Sequence, residues 1–157
     1  MRECGSCTLC CTLVGVHALN KPMGQHCPHC NINQSCKIYN TRPSECKDFD
    51  CAWLLGQVPE SLKPEKTHIV LSDLQIDLQK IDIEIDEHVI LVYTDPEYPD
   101  AYKQGEMADF LNKLLAQGTA LIVLKDGQKI YMKYGKVDSD IKPTSVPQNN
   151  WYNYKEL

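Results

Sequence analysis

The distribution of cysteine constrains this chain more than any other feature of its sequence. All nine cysteines fall between residues 4 and 51 of a 157-residue chain, and residues 52–157 contain none. Cysteine makes up about 18% of residues 1–51, well above the roughly 8–10% that marks a cross-linked or metal-held scaffold. The nine are Cys4, Cys7, Cys10, Cys11, Cys27, Cys30, Cys36, Cys46 and Cys51. Their concentration predicts that the chemistry of the protein lies in its N-terminal third.

The spacing of these cysteines favours metal binding over disulfides or buried thiols. The pattern is C-x2-C-x2-C-C and then, after 15 residues, C-x2-C-x5-C-x9-C-x4-C. Cys-x-x-Cys lets two sulfurs reach one ion from a tight turn, and two such pairs complete a tetrahedral site. The odd count and the adjacent Cys10 and Cys11 argue against a disulfide framework. Nine thiols among prolines and polar residues are also unlike a hydrophobic core.

The number of thiols leaves the metal open between zinc and iron–sulfur. Two four-thiolate zinc sites use eight sulfurs, three zinc ions that share bridging thiolates use all nine, and one four-iron cluster uses four. We favour two or three zinc ions, because Cys11 follows Cys10 directly where a ferredoxin-type run continues differently. Adjacent side chains of an extended chain point to opposite sides, and a ring closed through neighbouring sulfurs would strain the planar peptide between them. Cys10 and Cys11 are therefore not expected to be terminal ligands of the same ion; one of them should reach a second site or act as a bridge. His26 and His29, on either side of Cys27, are weaker candidate ligands.

Residues 4–55 resemble the YkgJ-like CxxCxxCC cysteine-cluster family, which is described as a zinc- or iron-chelating domain. The resemblance rests on Cys4-Gly-Ser-Cys7-Thr-Leu-Cys10-Cys11, on Cys27-Pro-His-Cys30, and on Cys36-Lys-Ile-Tyr39-Asn-Thr-Arg42-Pro43-Ser-Glu-Cys46 with the later Cys51. It implies metal ligation by eight cysteines, namely Cys4, Cys7, Cys10, Cys11, Cys27, Cys36, Cys46 and Cys51. Cys30 lies outside these eight and matches a Cys-x-His-Cys variant of the family.

The same resemblance makes Tyr39, Arg42 and Pro43 the frame around the metal. The donor fork of Arg42 suits thiolates or backbone carbonyls near a metal. Pro43 fixes the turn before Cys46.

The rest of the chain predicts an α+β fold. Strands are expected at Thr67–Ser72 and His88–Thr94, and two further alternating runs cover residues 74–78 and 81–85. One apolar helix face is formed by Met107, Phe110, Leu111, Leu114 and Leu115. Asp126-Gly127 between two apolar runs predicts a hairpin. We therefore expect a cysteine-rich, metal-held N-terminal module (1–56) packed on a small, mainly antiparallel sheet with one long helix (57–136), followed by a polar tail (137–157).

Composition narrows the function classes further. The net charge is −5 and no basic stripe is present, so the sequence predicts no nucleic-acid partner. It also predicts no membrane partner, because no apolar run approaches the roughly 20 residues of a membrane span. The N-terminus has no apolar signal core, so a cytoplasmic location is expected.

The leading functional hypothesis is a metal-binding protein whose metal is mainly structural. The alternative is an iron–sulfur redox, sensor or accessory protein. A third hypothesis is that the protein is part of a methyltransferase-type enzyme system, because its cysteine module resembles one attached to flagellin lysine N-methylases. No glycine-rich cofactor loop is visible, so a non-enzymatic role is favoured. The C-terminal part is expected to offer a surface to a protein partner.

Overall fold

The computed structural model describes residues 2–73 and 88–132, and these contain four α-helices and two β-sheets. In chain order the elements are α1 (Cys10–Leu13), β1 (Cys30–Asn31), β2 (Ser35–Cys36), α2 (Ser44–Asp48), α3 (Pro64–Thr67), β3 (Ile69–Asp73), β4 (Val89–Thr94), α4 (Gly105–Ala116), β5 (Ala120–Lys125) and β6 (Gln128–Met132). The α+β class is thus confirmed. No helix among the described residues is long and apolar enough to cross a bilayer.

The larger sheet has four strands in the order β3-β4-β5-β6 and is mixed. The outer pairs, β3 with β4 and β5 with β6, are antiparallel, whereas β4 and β5 run parallel. A parallel pair needs a crossover connection, and α4 lies within it. The predicted hairpin is the β5–β6 pair. Its turn residues Asp126 and Gly127 have φ of 49° and 72°, as a tight two-residue hairpin turn requires.

The predicted strands and helix are found close to their expected positions. Strand β4 and helix α4 are confirmed, and β3 begins at Ile69 rather than Thr67. The difference arises because Thr67 ends α3 and His68 caps that helix in a left-handed conformation, with φ of 58°. The alternating runs at 74–78 and 81–85 and the tail at 137–157 lie outside the described residues.

Both faces of the larger sheet are covered by apolar side chains. On one face, Val92 and Leu121 pack with Met107, Leu111 and Leu115 of α4 in one buried cluster. Because side chains alternate along a strand, the neighbouring residues of β4 and β5 point to the opposite face. The helix therefore covers only half of the apolar surface that these strands carry.

The N-terminal segment covers the other face. Leu13 at the end of α1 and Met23 share a buried cluster with Val70, Leu91 and Ile122 of the sheet. The prediction that the cysteine-rich segment packs on the sheet is confirmed. The sheet therefore lies between α4 on one side and the thiol-bearing segment on the other.

Candidate metal centre

The first four cysteines lie on a tight turn that leads into α1. The backbone N–H of Cys7 donates to the carbonyl oxygen of Cys4 at 3.0 Å, which closes the turn of the first Cys-x-x-Cys step. Cys10 and Cys11 then form the first turn of α1. Turns of this kind bring two sulfurs of one Cys-x-x-Cys step to the same side.

Cys10 and Cys11 lie in helix α1 and not in the extended chain that the sequence analysis assumed for them. Residues in a helix do not alternate sides as they do in an extended strand. A hydrogen bond between the two thiols joins Cys10 to Cys11 and is the main reason that the pKa of Cys11 is strongly raised. The alternation of side chains along an extended chain therefore does not apply to α1, and that Cys10 and Cys11 are not both terminal ligands of one ion stays a prediction.

Backbone hydrogen bonds fix the positions of the later cysteines, and one of these bonds is to α1. The N–H of Cys27 donates to the carbonyl oxygen of Cys11 at 3.0 Å. Cys30 then pairs with Cys36 across the short β1–β2 sheet. Cys46 lies within α2, where its N–H donates to the carbonyl of Pro43 at 3.0 Å.

Six thiols form what we call the inner thiol group: Cys10, Cys11, Cys27, Cys30, Cys36 and Cys46. Burial raises the pKa of Cys30 to about 11, with a further contribution from Cys11. Burial also raises the pKa of Cys46, and the neighbouring thiols of Cys11, Cys27 and Cys36 raise it further. Cys11, Cys30 and Cys46 thus each lie close enough to other thiols of the group for those neighbours to raise their pKa.

The outer thiol group consists of Cys4, Cys7 and Cys51. Burial raises the pKa of Cys4, and proximity to Cys51 and Cys7 adds to the shift. The pKa of Cys7 is raised by burial and by Cys51. Cys4 is exposed, whereas Cys27 and Cys30 of the inner group are buried.

All nine cysteines are free thiols. Within residues 2–73 and 88–132, no three side chains of His, Cys, Asp or Glu converge closely enough to hold a metal ion. The predicted ligands are therefore brought together as neighbours in two groups, without a formed coordination shell.

Arg42 contacts the residues that the family resemblance places beside it. Its Nη1 donates to the carbonyl of Tyr39 at 2.7 Å, and its guanidinium lies 3.8 Å from the centre of the Tyr39 ring. Its Nε donates to the carbonyl of Cys46 at 3.4 Å. Pro43 caps α2 immediately before that cysteine. Arg42 thus holds backbone carbonyls next to a thiol rather than a thiol itself.

His26 is occupied by protein contacts. Its Nδ1 lies 3.0 Å from the Thr12 hydroxyl, and its Nε2 lies 3.2 Å from the carbonyl oxygen of Cys30. Both ring nitrogens are thus engaged in hydrogen bonds, which argues against His26 as a metal ligand.

Lys21 is a functional candidate that the sequence analysis missed. Its side chain is 4% exposed, and its ammonium donates to the carbonyls of Thr12, Val14 and Pro22 at 3.1, 2.6 and 3.3 Å. Burial lowers the pKa of this ammonium, while nearby thiols of the inner group raise it. A buried cation here offsets the negative charge that thiolates would bring. A lone lysine before a proline carries no pattern that marks this role.

A second charged contact lies beside the outer group. The Glu65 carboxylate accepts a hydrogen bond from Ser6 Oγ at 3.1 Å and pairs with Lys63 Nζ at 2.9 Å. The backbone N–H of Glu65 also hydrogen-bonds the Cys7 thiol. Helix α3 is in this way tied to the turn that carries the first cysteines.

Comparisons of the chain with family models, with curated proteins and with solved structures find no match, so the family resemblance of residues 4–55 stays a prediction from its motif.

Proposed function

We propose that the protein binds two or three zinc ions through its inner and outer thiol groups, and that the metal is mainly structural. The observation that carries this proposal is the gathering of all nine free thiols, from 48 residues of sequence, into two adjoining groups. Thiolate is the ligand that zinc and iron–sulfur centres share. The buried ammonium of Lys21 adds a compensating positive charge at the same place.

A structural role follows from how little else holds this segment together. Helices α1 and α2 have four and five residues, and each strand of the β1–β2 sheet has two. Helices shorter than about 12 residues and isolated hairpins are marginal in water. Bound metal would supply the missing stabilisation by cross-linking the turns through their sulfurs.

The experiment is metal analysis of the full chain purified without oxygen, together with its visible spectrum. A colourless protein with two or three zinc ions per chain supports the proposal. A brown protein that carries iron and acid-labile sulfide would favour the alternative, an iron–sulfur redox or sensor protein. A protein free of both metals would contradict each of them.

Substitutions in the same experiment test which side chains hold the metal. We expect Cys46→Ser to lower the zinc content by about one ion per chain, because a tetrahedral site does not tolerate the loss of one of four thiolates. His26→Gln is the matched control, since both nitrogens of His26 are engaged with Thr12 and Cys30. Equal zinc in Cys46→Ser and the unchanged protein would exclude Cys46 as a ligand.

Zinc binding should also release protons and weaken as the pH falls. The pKa values of Cys4, Cys7, Cys30 and Cys46 are raised from 9.0, so these thiols are protonated at neutral pH in the metal-free protein. Only the thiolate binds zinc, so about four protons should leave for each four-thiolate site that fills. Affinity should therefore rise with pH throughout the range below the thiol pKa values. The measurement is zinc titration in weakly buffered solution with a pH indicator, and binding without proton release would rule out thiol ligands.

A further inference from the structure

A second cluster of polar side chains lies apart from the cysteines, where β4 ends and β3 begins. His68 Nδ1 is 3.1 Å from the Asp95 carboxylate oxygen Oδ2. The other oxygen of that carboxylate accepts the backbone N–H of Glu97 at 3.0 Å. The hydrogen bond from Glu97 thus holds the Asp95 carboxylate in place, and the carboxylate holds the His68 imidazole.

Two more contacts hold the imidazole in place. The His68 ring stacks on the Tyr98 ring, with the ring centres 3.7 Å apart and the planes at 20°. The His68 carbonyl accepts the N–H of Asp95 at 3.0 Å, and the His68 N–H donates to Pro64 at 2.8 Å. These bonds keep His68 at a φ of 58°, a conformation that few residues other than glycine adopt.

His68 and Tyr98 line a cavity of about 550 Å³, which is within the usual size range of small-molecule sites. Asp95 does not line it. The Nδ1 edge of the imidazole is therefore taken up by Asp95, so Nε2 is the ring nitrogen left for a ligand of the cavity that His68 lines. A carboxylate on Nδ1 favours the tautomer in which Nε2 is unprotonated and can accept a proton.

The same cavity has groups suited to a developing negative charge. Lys66 and the first residues of α4, Gly105 and Glu106, also line it. Within residues 2–73 and 88–132, no side chain caps the N-terminus of α4, so its first backbone N–H groups have no side-chain partner among these residues. Two carboxylates also line the cavity, and both are engaged: Ser61 Oγ donates to Glu106 at 2.6 Å, and Asp100 pairs with Lys125 at 2.7 Å and with Lys103 at 3.0 Å. Backbone N–H groups at a helix start and an ammonium are the donors that stabilise an oxyanion.

We propose that this cavity is a hydrolytic site for a small carboxylic ester, with His68 as the general base and Asp95 as its positioning residue. Nε2 takes a proton from a solvent water molecule as the water oxygen forms a bond to the ester carbonyl carbon. The carbonyl oxygen gains the negative charge and is held by the Lys66 ammonium and the N–H groups of α4. The ester C–O bond then breaks, and the imidazolium returns its proton to the leaving alkoxide, which gives an acid and an alcohol.

The test is hydrolysis of p-nitrophenyl acetate by the full chain, measured as kcat/KM above the buffer rate. We expect His68→Asn to lower it by about 100-fold, the lower end of what a positioned general base contributes. Asparagine is chosen because it tolerates a positive φ. Asp95→Asn should lower kcat and leave KM unchanged, since Asp95 orients the base without touching the ester.

The matched control is His88→Asn. His88 also pairs with an aspartate, Asp73, at 3.1 Å, but its side chain is 61% exposed and lies outside the cavity. Any metal at the thiols is common to all variants, so a difference among them cannot come from it. A wild-type rate equal to buffer, or equal losses in His68→Asn and His88→Asn, would overturn the proposal.

Discussion

Removal of the proposed zinc ions should abolish amide protection in residues 4–51 while α4 keeps most of its protection. Structural zinc contributes on the order of 10–16 kcal/mol in small zinc-binding peptides, more than the whole stability of many domains. The helices and strands of this segment have five residues or fewer and are marginal by themselves, so we expect packing on the sheet to be too weak to hold them without a cross-link. Hydrogen exchange of the full chain, before and after chelation under reducing conditions, measures this directly.

Helix α4 is the internal control in the same experiment. Its Met107, Leu111 and Leu115 pack on the sheet face opposite Leu13 and Met23, and only the end of the cysteine segment, at Cys51, contacts their cluster, so most of their burial does not depend on residues 4–51. The strands should lose some protection, because the face that holds Val70 and Ile122 loses its cover. Unchanged protection across residues 4–51 after complete metal removal would refute a structural role for the metal.

Leu13→Ala should destabilise the protein by about 2–5 kcal/mol, the usual cost of truncating a fully buried leucine. Leu13 is 2% exposed and lies in the apolar cluster that joins the cysteine segment to the sheet. Truncation of the Leu13 side chain leaves a cavity where the cysteine segment contacts the sheet. Urea unfolding of the metal-bound protein, with equal metal content in each variant, gives the difference in unfolding free energy.

Leu55→Ala is the matched substitution on the surface. Leu55 is 53% exposed, so the same chemical change should alter the unfolding free energy by no more than about 0.5 kcal/mol. Equal effects at the two positions would mean that the cysteine segment does not depend on the sheet for its stability.

Features that rest on local patterns could be predicted from the sequence. The spacing of Met107, Leu111 and Leu115 repeats with the period of a helix, and that helix is α4. Asp126 and Gly127 are suited to positive φ, and they form the turn of the β5–β6 hairpin. The thiol pattern likewise predicts a shared site, because its spacing of two residues has a direct geometric meaning.

Local patterns misjudged the conformation of short segments. In the sequence analysis Cys10 and Cys11 are treated as extended chain, because the four residues of α1 are too few to display a helical period. Their helix is held by packing, chiefly through Leu13 against the sheet. Short elements of this kind take their conformation from tertiary contacts, which outweigh weak local propensity.

Which distant residues come into contact could be seen only in the tertiary structure. The parallel pairing of β4 with β5 follows from the crossover through α4 and from burial on both faces, neither of which a single strand reveals. The Lys21 ammonium lies near the thiols because the carbonyls of Thr12 and Val14, at the end of α1, accept its hydrogen bonds. His68 and Asp95 stand 27 residues apart and become partners through the pairing of β3 with β4. Contacts between residues so far apart in sequence are set by the packing of the whole chain, because their types carry no periodic signal that links them.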